Sequence, residues 1–381
     1  MVPMRFLAVL MVMLLVFSAL SIALPAPGRY LVKGDARGLR VQHEFSGGVT
    51  AELSSAEALA LTLRGVELES VPLWHVLGRQ VSASGKGKPG PAARVSFPSD
   101  QTPWGMETVY NNASLLSTSG GAGVDVAVLD TGVYKNHLDL SRRVTQCKDF
   151  TRGPVKNGCP DGYGHGTHVS GTILADAGAD GLGIWGVAPA ANLFAYKVCG
   201  NDGYCWSDNI ATAIRHAADQ GAEIISMSLG GDAESALVRD AITYAVGKGV
   251  LVVAAAGNDG PALGSIDWPG ANANVVAVAA IDSSLAVADW SSRGLNDGDF
   301  VIEAQEVEFG APGVAVESAM NNGGYAIWDG TSMATPHIAG LAAKLWQGSG
   351  AATRAYLQGL AVDIDAAGDD PATGFGLARL G

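Results

Sequence analysis

The chain is poor in charge, and the charge it has is mostly of one sign. Lys and Arg number 24 against 37 Asp and Glu, charged residues make up only 16% of the chain, and the net charge is −13. A nucleic-acid partner would need a basic face, which this composition does not supply. The balance describes a self-repelling molecule and says little about fold. Long apolar runs are scarce as well. One stands at the start, Phe6 to Leu20, with Arg5 before it and Ser21-Ile-Ala23, Pro25 and Pro27 after it. It is shorter than the ~20 residues a spanning helix needs. Its small-x-small ending reads as a signal peptide over residues 1–23 rather than an uncleaved anchor. The expectation is a secreted, extracellular protein with no stable membrane span after signal cleavage.

Cysteine is rare too. Cys147, Cys159, Cys199 and Cys205 all follow the apolar leader. An even number in an exported chain indicates disulfides, and four cysteines allow three connectivities. The sequence does not select among them, although Cys147–Cys159 and Cys199–Cys205 are favoured because each closes a short loop containing Gly. A zinc site would want C-x₂-C spacing and nearby His partners, which are missing.

What is present begins with room for more than one folding unit in 381 residues. Arg29 to Lys33 reads as a strand. Val41–Phe45 and Val49–Leu53 flank Ser46-Gly-Gly48 as a hairpin. Ser54 is placed to cap a helix over 54–63 that Gly65 ends, and Val66–Val71 alternates as a last strand. Residues 78–98, with Ser84-Gly-Lys-Gly-Lys-Pro-Gly-Pro91, read as an exposed linker where proteolytic processing would fall. Beyond it, short runs at 124–129, 193–198, 223–229, 250–255 and 275–280 are rich in Val, Ile, Leu and Ala. Such continuous runs suit strands buried on both faces of a parallel sheet. Amphipathic helices over 207–220 and 233–246 alternate with them, so the expected fold is α/β, a doubly wound and mostly parallel sheet with helices on both faces.

Three segments carry the chemistry: Val126-Ala-Val-Leu-Asp-Thr-Gly132, His165-Gly-Thr-His-Val-Ser-Gly171 and Gly330-Thr-Ser-Met-Ala-Thr-Pro336. They supply a serine nucleophile, an imidazole to take its proton and a carboxylate to orient the imidazole. Each residue has a plainer reading. Ser332 alone would serve as an N-cap for a helix over 333–346, His165 as a core histidine, Asp130 as a turn acid. A metal pair of His165 and His168 would lack the Glu of H-E-x-x-H. An aspartic protease would need a second Asp-Thr-Gly or Asp-Ser-Gly, and none occurs. The order Asp, His, Ser favours the triad over all of these.

From about Gln101 to the end, these segments resemble the active-site motifs of the subtilisin-like serine proteases. The resemblance implies a serine endopeptidase acting on proteins or peptides through Asp130, His165 and Ser332. In the same frame Asn258 resembles the oxyanion-hole asparagine, acting with the Ser332 backbone N–H. Ser228, Leu229 and Gly230 resemble one wall of the peptide groove, Gly203 and Tyr204 the other. Asp259 and Asp267 map near the floor of the pocket for the residue before the cut (P1), which suggests tolerance of basic side chains there. Structural Ca²⁺ is implied, with Asp139, Asp180 and the carbonyls of Leu182 and Ile184 as ligands. The loop from Asp176 to Ile184, which resembles the one that completes the family's site, is two residues longer than the family's, and the N-terminal ligand is open between Asp100 and Gln101. His168 and His337 match motif positions outside the triad. Residues 24–77 resemble the α+β propeptide of secreted members, an intramolecular inhibitor, leaving 99–381 as the catalytic domain. Gly374–Ala378 resembles the last core strand, so no C-terminal accessory domain is expected, and the enzyme is expected to be a monomer. Two rivals fit the same fold. A non-catalytic peptide binder would have lost a triad member, and a peptide ligase would put an amine in place of water.

Overall fold

The computed structural model describes residues 25–83 and 96–381. The signal-peptide reading and residues 84–95 of the linker reading lie outside them. The chain divides after Val71 into two compact units, residues 1–71 and 72–381.

The smaller unit contains β1 (Gly28–Lys33), β2 (Val41–Phe45), β3 (Gly48–Leu53), α1 (Ser55–Leu63) and β4 (Glu67–Ser70), with an antiparallel sheet in the order β2-β3-β1-β4. Ser54 starts α1 through a reciprocal capping pair. Its hydroxyl accepts the Glu57 N–H at 3.3 Å, and the Glu57 carboxylate accepts the Ser54 N–H at 2.8 Å. Val32, Ala51, Leu53, Ala58 and Leu61 form a core of their own between helix and sheet.

The larger unit opens with β5 (Leu73–Val76), β6 (Arg79–Ala83) and α2 (Trp104–Val109). There follow β7 (Asp125–Asp130), β8 (Val144–Asp149), β9 (Lys156–Asn157), α3 (His165–Leu174), β10 (Asn192–Lys197), β11 (Tyr204–Trp206) and α4 (Ser207–Asp219). Next come β12 (Ile224–Met227), β13 (Leu229–Gly230), α5 (Ala236–Gly247), β14 (Leu251–Ala255) and β15 (Val276–Ile281). The unit closes with β16 (Phe309–Pro312), β17 (Val316–Ala319), β18 (Tyr325–Asp329), α6 (Thr331–Lys344), α7 (Gly350–Leu360), β19 (Ala361–Val362) and β20 (Leu377–Ala378).

Its sheet runs β16-β15-β14-β12-β7-β10-β8-β9, parallel throughout except for β9, with helices on both faces. Every residue of β12, β14 and β15 is buried, which is why these runs are continuous rather than alternating. From β7 the chain builds first toward β8 and β10, then on the other side toward β12 and β14. Asp130 ends β7, at this reversal, where a doubly wound sheet opens a crevice beyond its strand ends.

The structure differs from the sequence reading in three places. Arg79–Ala83 is not linker: it pairs antiparallel with β18, whose edge it covers, and the Gly- and Lys-rich composition begins only at Ser84. Helix α6 starts at Thr331, so Ser332 lies in its first turn and Gly330 takes the N-cap position. Gly374–Gly376 lies antiparallel against β16, the Phe375 N–H donating to Glu308 O at 2.9 Å and the Gly310 N–H to Gly376 O at 3.0 Å, and only Leu377–Ala378 departs from it to pair with β19 in a two-stranded ribbon. Both favoured disulfides are present, Cys147–Cys159 with Cα atoms 5.2 Å apart and Cys199–Cys205 at 4.1 Å. Among the described residues no helix is long and apolar enough to cross a membrane.

Candidate active site

Asp130 and His165 meet where β7 ends and α3 begins. The Nδ1 of His165 lies 2.8 and 2.9 Å from the two Asp130 oxygens, with both side chains buried. The glycine after His165 permits this. A Cβ on Gly166 would stand 2.2 Å from the Gly132 carbonyl oxygen and 3.1 Å from Asp130 Cβ. The other ring nitrogen of His165, Nε2, is buried without a hydrogen-bond partner.

Asn258 follows β14, and Ser332 stands in the first turn of α6. The Asn258 side chain is fixed from behind, because its Oδ1 accepts the Thr331 N–H and hydroxyl, each at 3.0 Å. Its Nδ2 then donates to the Leu77 carbonyl at 2.9 Å, and the Ser332 N–H donates to the same oxygen at 3.2 Å. Gly330 makes the approach possible, since a Cβ there would lie 2.2 Å from that oxygen. Gly78 sits against the histidine, where an added Cβ would be 2.8 Å from His165 Nε2. The Ser332 hydroxyl itself donates to the Ser228 carbonyl at 2.9 Å rather than to His165, and the Ser228 hydroxyl returns a bond to the Ser332 carbonyl at 2.9 Å.

The two predicted groove walls come together around a strand of the chain itself. β5 pairs antiparallel with β11 on one side, Tyr204 opposite His75, and with β13 on the other, Leu229 opposite Val76 and Gly230 opposite His75. Val76 N–H donates to Gly203 O at 3.1 Å, and Leu77 N–H to Ser228 O at 3.2 Å. This is β-augmentation of an extended segment. The Leu77 side chain points to Gly230, where an added Cβ would meet Leu77 Cδ1 and Asp267 Cβ, each at 3.0 Å. Asp267 is buried, its Oδ2 has no hydrogen-bond partner, and a carboxylate oxygen from each of Asp232, Asp259 and Asp267 lies within 4.8 Å of the others. Burial first, then the charges of Asp259 and Asp232, push the Asp267 carboxyl up to about 7.

His168 and His337 lie off this constellation. His168 Nε2 contacts the carbonyls of Val316 and Ala326, His337 Nδ1 that of Met333, and burial lowers the two rings to about 3 and about 4. Both are therefore neutral core residues.

The residues expected to bind calcium form a separate neighbourhood. Asp139 is buried, and its Oδ2 accepts the Ile184 N–H at 3.0 Å. A Cβ on Gly183 would fall 2.0 Å from Asp139 Oδ1, so glycine keeps space open beside this carboxylate. Asp180 accepts the Leu182 N–H at 3.2 Å and is exposed. Of the two N-terminal candidates, Gln101 reaches the loop, its amide 2.9 Å from Gly181 O and 2.8 Å from Gly183 O, while Asp100 turns to the Thr102 N–H. The Asp139 and Asp180 carboxylates and the loop carbonyls are hard oxygens, which fits calcium, whereas Gln101 turns its amide nitrogen to the loop.

Sequence reasoning missed three contributors. Thr331 locks Asn258. Asp161 accepts from Thr131 Oγ1, Gly164 N and both the N–H and hydroxyl of Thr167, tying the β7 loop to the start of α3. An acid four residues before a helix-opening His was a readable sign of it. Leu77 carried no local sign at all, because its role depends on where the chain folds back.

Residues 121–376 match the family model described as the Subtilase family. A subtilisin of Bacillus sp. (strain TA39) is 46% identical over 367 residues, which cover 89% of this chain and 86% of that protein. Subtilisin BL of Lederbergia lenta is 40% identical over 245 residues, 64% of this chain and 84% of its own. Among solved structures, sphericase is 51% identical with a TM-score of 0.73, over 74% of this chain and 99% of its own.

Proposed function

The chain belongs to the subtilase family and is a serine endopeptidase, and on that premise we propose that Asp130, His165 and Ser332 are its catalytic triad and that the first bond it cuts is its own Leu77–Gly78 bond. One observation carries the reading. The Leu77 carbonyl oxygen accepts from both Asn258 Nδ2 and Ser332 N–H, with His165 Nε2 beside Gly78.

The steps follow from the placement. The Ser332 hydroxyl turns from Ser228 O toward the Leu77 carbonyl carbon and passes its proton to His165 Nε2, which has no other partner. Asp130 holds the imidazole by Nδ1 and stabilises its cationic form. The tetrahedral oxyanion takes the place of the Leu77 carbonyl oxygen, between donors already aligned. Collapse breaks the C–N bond, His165 returns the proton to the Gly78 amine, and water then hydrolyses the Leu77 ester by the same route. Other peptides enter as β5 does, between β11 and β13. In this reading residues 1–23 direct export, 24–77 fold as the inhibitory prosegment, and the enzyme acts outside the cell as a monomer. Ca²⁺ held by Asp139, Asp180, the carbonyls of Leu182 and Ile184 and, with its amide turned over, Gln101 Oε1 would stiffen the 177–184 loop.

At P1 the site accepts two kinds of side chain. Leu77 beside Gly230 supports an apolar occupant. An ionised Asp267, with Asp259 and Asp232 beside it, suits a Lys or Arg side chain that brings its own charge.

Intact mass of secreted protein, wild type beside Ser332→Ala, tests the central claim. Wild type is expected to begin at Gly78 or later, and the variant to keep residues 24–77 attached. Identical maturation of the two would overturn autoprocessing. Retained activity of the variant on a peptide would overturn Ser332 as nucleophile.

A further inference from the structure

We propose that residues 78–83 stay on the enzyme after the Leu77–Gly78 bond is cut and close the part of the groove that takes residues after a cut. A second cut is then needed before long substrates enter. The inference rests on the reading of Leu77–Gly78 as the first bond cut. β6 continues the chain past that bond and lies at the edge of a three-stranded sheet in the order β17-β18-β6. It runs antiparallel to β18, with Arg79 opposite Asp329, Gln80 opposite Trp328, Ser82 opposite Ile327 and Ala83 opposite Ala326. β18 leads directly into Gly330 and the first turn of α6, where Ser332 stands. The backbone edge that β6 covers is therefore the one that residues following a scissile bond meet first. Asp329 Oδ2 lies 4.0 Å from Arg79 Nη2, but the Arg79 side chain is 83% exposed, so this pair adds little. Arg79 also walls a cavity of about 240 Å³ with Asn258, Trp290, Asp329 and Gly330. The space beside the oxyanion donors is thus bounded on one side by the chain's own segment.

Cutting the bond does not pull this strand away. The chain downstream is anchored on the same sheet, since the Glu317 carboxylate of β17 accepts the Ser99 N–H at 3.0 Å and the Ser99 hydroxyl. Ile327 pairs with Ser82 on one side and with Glu317 on the other. From Ser82 to Glu317 is thus two strand spacings, about 10 Å. The fifteen residues 84–98 can span roughly 50 Å at ~3.3 Å each. Gln101 already reaches Gly181 O and Gly183 O in the uncut chain. Neither end has to move when the bond breaks, and a strand tethered this closely rebinds at an effective concentration on the order of millimolar. Substrates that extend past their own scissile bond compete with it, and substrates that stop there do not. Release takes a second hydrolysis within 84–98 by the same activity, water adding across the broken C–N bond. The strand then loses its tether and leaves.

The test follows maturation of the full wild-type chain beside a Gln80→Pro, Ser82→Pro double variant, in which two positions of the ladder lose their N–H. Mass spectra give the fraction of chains beginning at Gly78. Each sample is assayed on two substrates with the same residues before the cut. One ends in p-nitroanilide, and the other is a quenched peptide with five residues after the cut. Inhibition by residues 24–77 acts on both and cancels in their ratio. While chains beginning at Gly78 predominate, the wild-type ratio of long to short kcat/KM is expected about tenfold or more below its value after trimming past residue 98. In the variant the ratio should stay level throughout. A level ratio in wild type would overturn the retained strand, as would a variant that starts equally low. So would hydrogen exchange of residues 80–83 at the rate of the free peptide in chains beginning at Gly78. Should the variant fail to mature, the wild-type ratio and the exchange decide alone. If the released prosegment does not end at Leu77, the first cut lies elsewhere, and the Leu77–Gly78 reading falls and takes this inference with it.

Discussion

Two clusters of three carboxylates stand in the larger unit, Asp232, Asp259 and Asp267 beside the groove and Asp297, Glu306 and Asp369 away from it. Each includes one buried acid with an oxygen that finds no partner, Asp267 in the first and Asp369 in the second. They differ in what holds the other oxygens. In the distant cluster all three carboxylates are steadied by N–H donors. In the groove cluster Asp267 borders Gly230 beside the Leu77 side chain, and Asp232 and Asp259 are exposed. A braced set is preorganised for an ion that stays. An open set facing a substrate strand suits a positive charge that comes and goes. On the proposed reading the same composition serves two ends, and brace and access separate them.

The largest expected effect breaks the groove half of this comparison. Asp267→Asn should lower the kcat/KM ratio of a P1-Lys peptide to a P1-Leu peptide by about 10- to 100-fold, the range for truncating one partner of a desolvated charge pair, discounted for an open pocket. Matched peptides differing only at P1 measure it. A ratio that does not move would remove Asp267 from specificity and leave the cluster as surface acid.

A smaller effect sharpens the same point. With its carboxyl pushed up to about 7 by burial and by Asp259 and Asp232, Asp267 is largely neutral at pH 6 and largely ionised at pH 8. The Lys-to-Leu ratio should therefore rise by about tenfold across that interval, as expected for a single titrating group near 7. Comparing the ratio cancels the pH dependence of the triad, which acts on both peptides. In Asp267→Asn the rise should vanish. A rise that survives would locate the titration elsewhere.

Much of this was legible in the chain before folding. The apolar runs at 250–255 and 275–280 gave buried parallel strands because residues buried on both faces need no alternation. The places of Asp130, His165, Asn258 and Ser332 at or next to element ends were legible because local sequence already marks those ends. The start of α6 was not. Ser332 is a good N-cap by type, yet Gly330 holds that place because the Leu77 carbonyl passes too close for any side chain. Composition marked residues 78–98 as linker, but β18 offers an edge and Arg79–Ala83 pairs with it. Asp232, Asp297, Glu306 and Asp369 are ordinary acids in the sequence. Their grouping depends on contacts between segments far apart, which no local pattern encodes.

The smallest expected effect sets the two clusters against each other through stability. Asp267 is raised from an ordinary 3.8 to about 7 in the folded chain. The native state thus keeps a proton that the unfolded chain gives up, so its contribution to stability is greatest below pH 3.8, falls as pH rises toward about 7, and stays lost above it. Asparagine carries no such titration. Asp267→Asn in the Ser332→Ala background should melt level with its parent near about pH 4 and above it near about pH 8.5, by on the order of 1–3 kcal/mol or a few degrees. Scans at one heating rate make the comparison valid even if unfolding is irreversible. At the same alkaline pH and in calcium, Asp369→Asn should move the midpoint the other way, because there the lost charge was holding an ion. Opposite signs from one chemical change would separate an acid that waits for substrate from an acid that already has its cation. A rise in both would make the two clusters alike, both unpaired and both relieved by neutralisation.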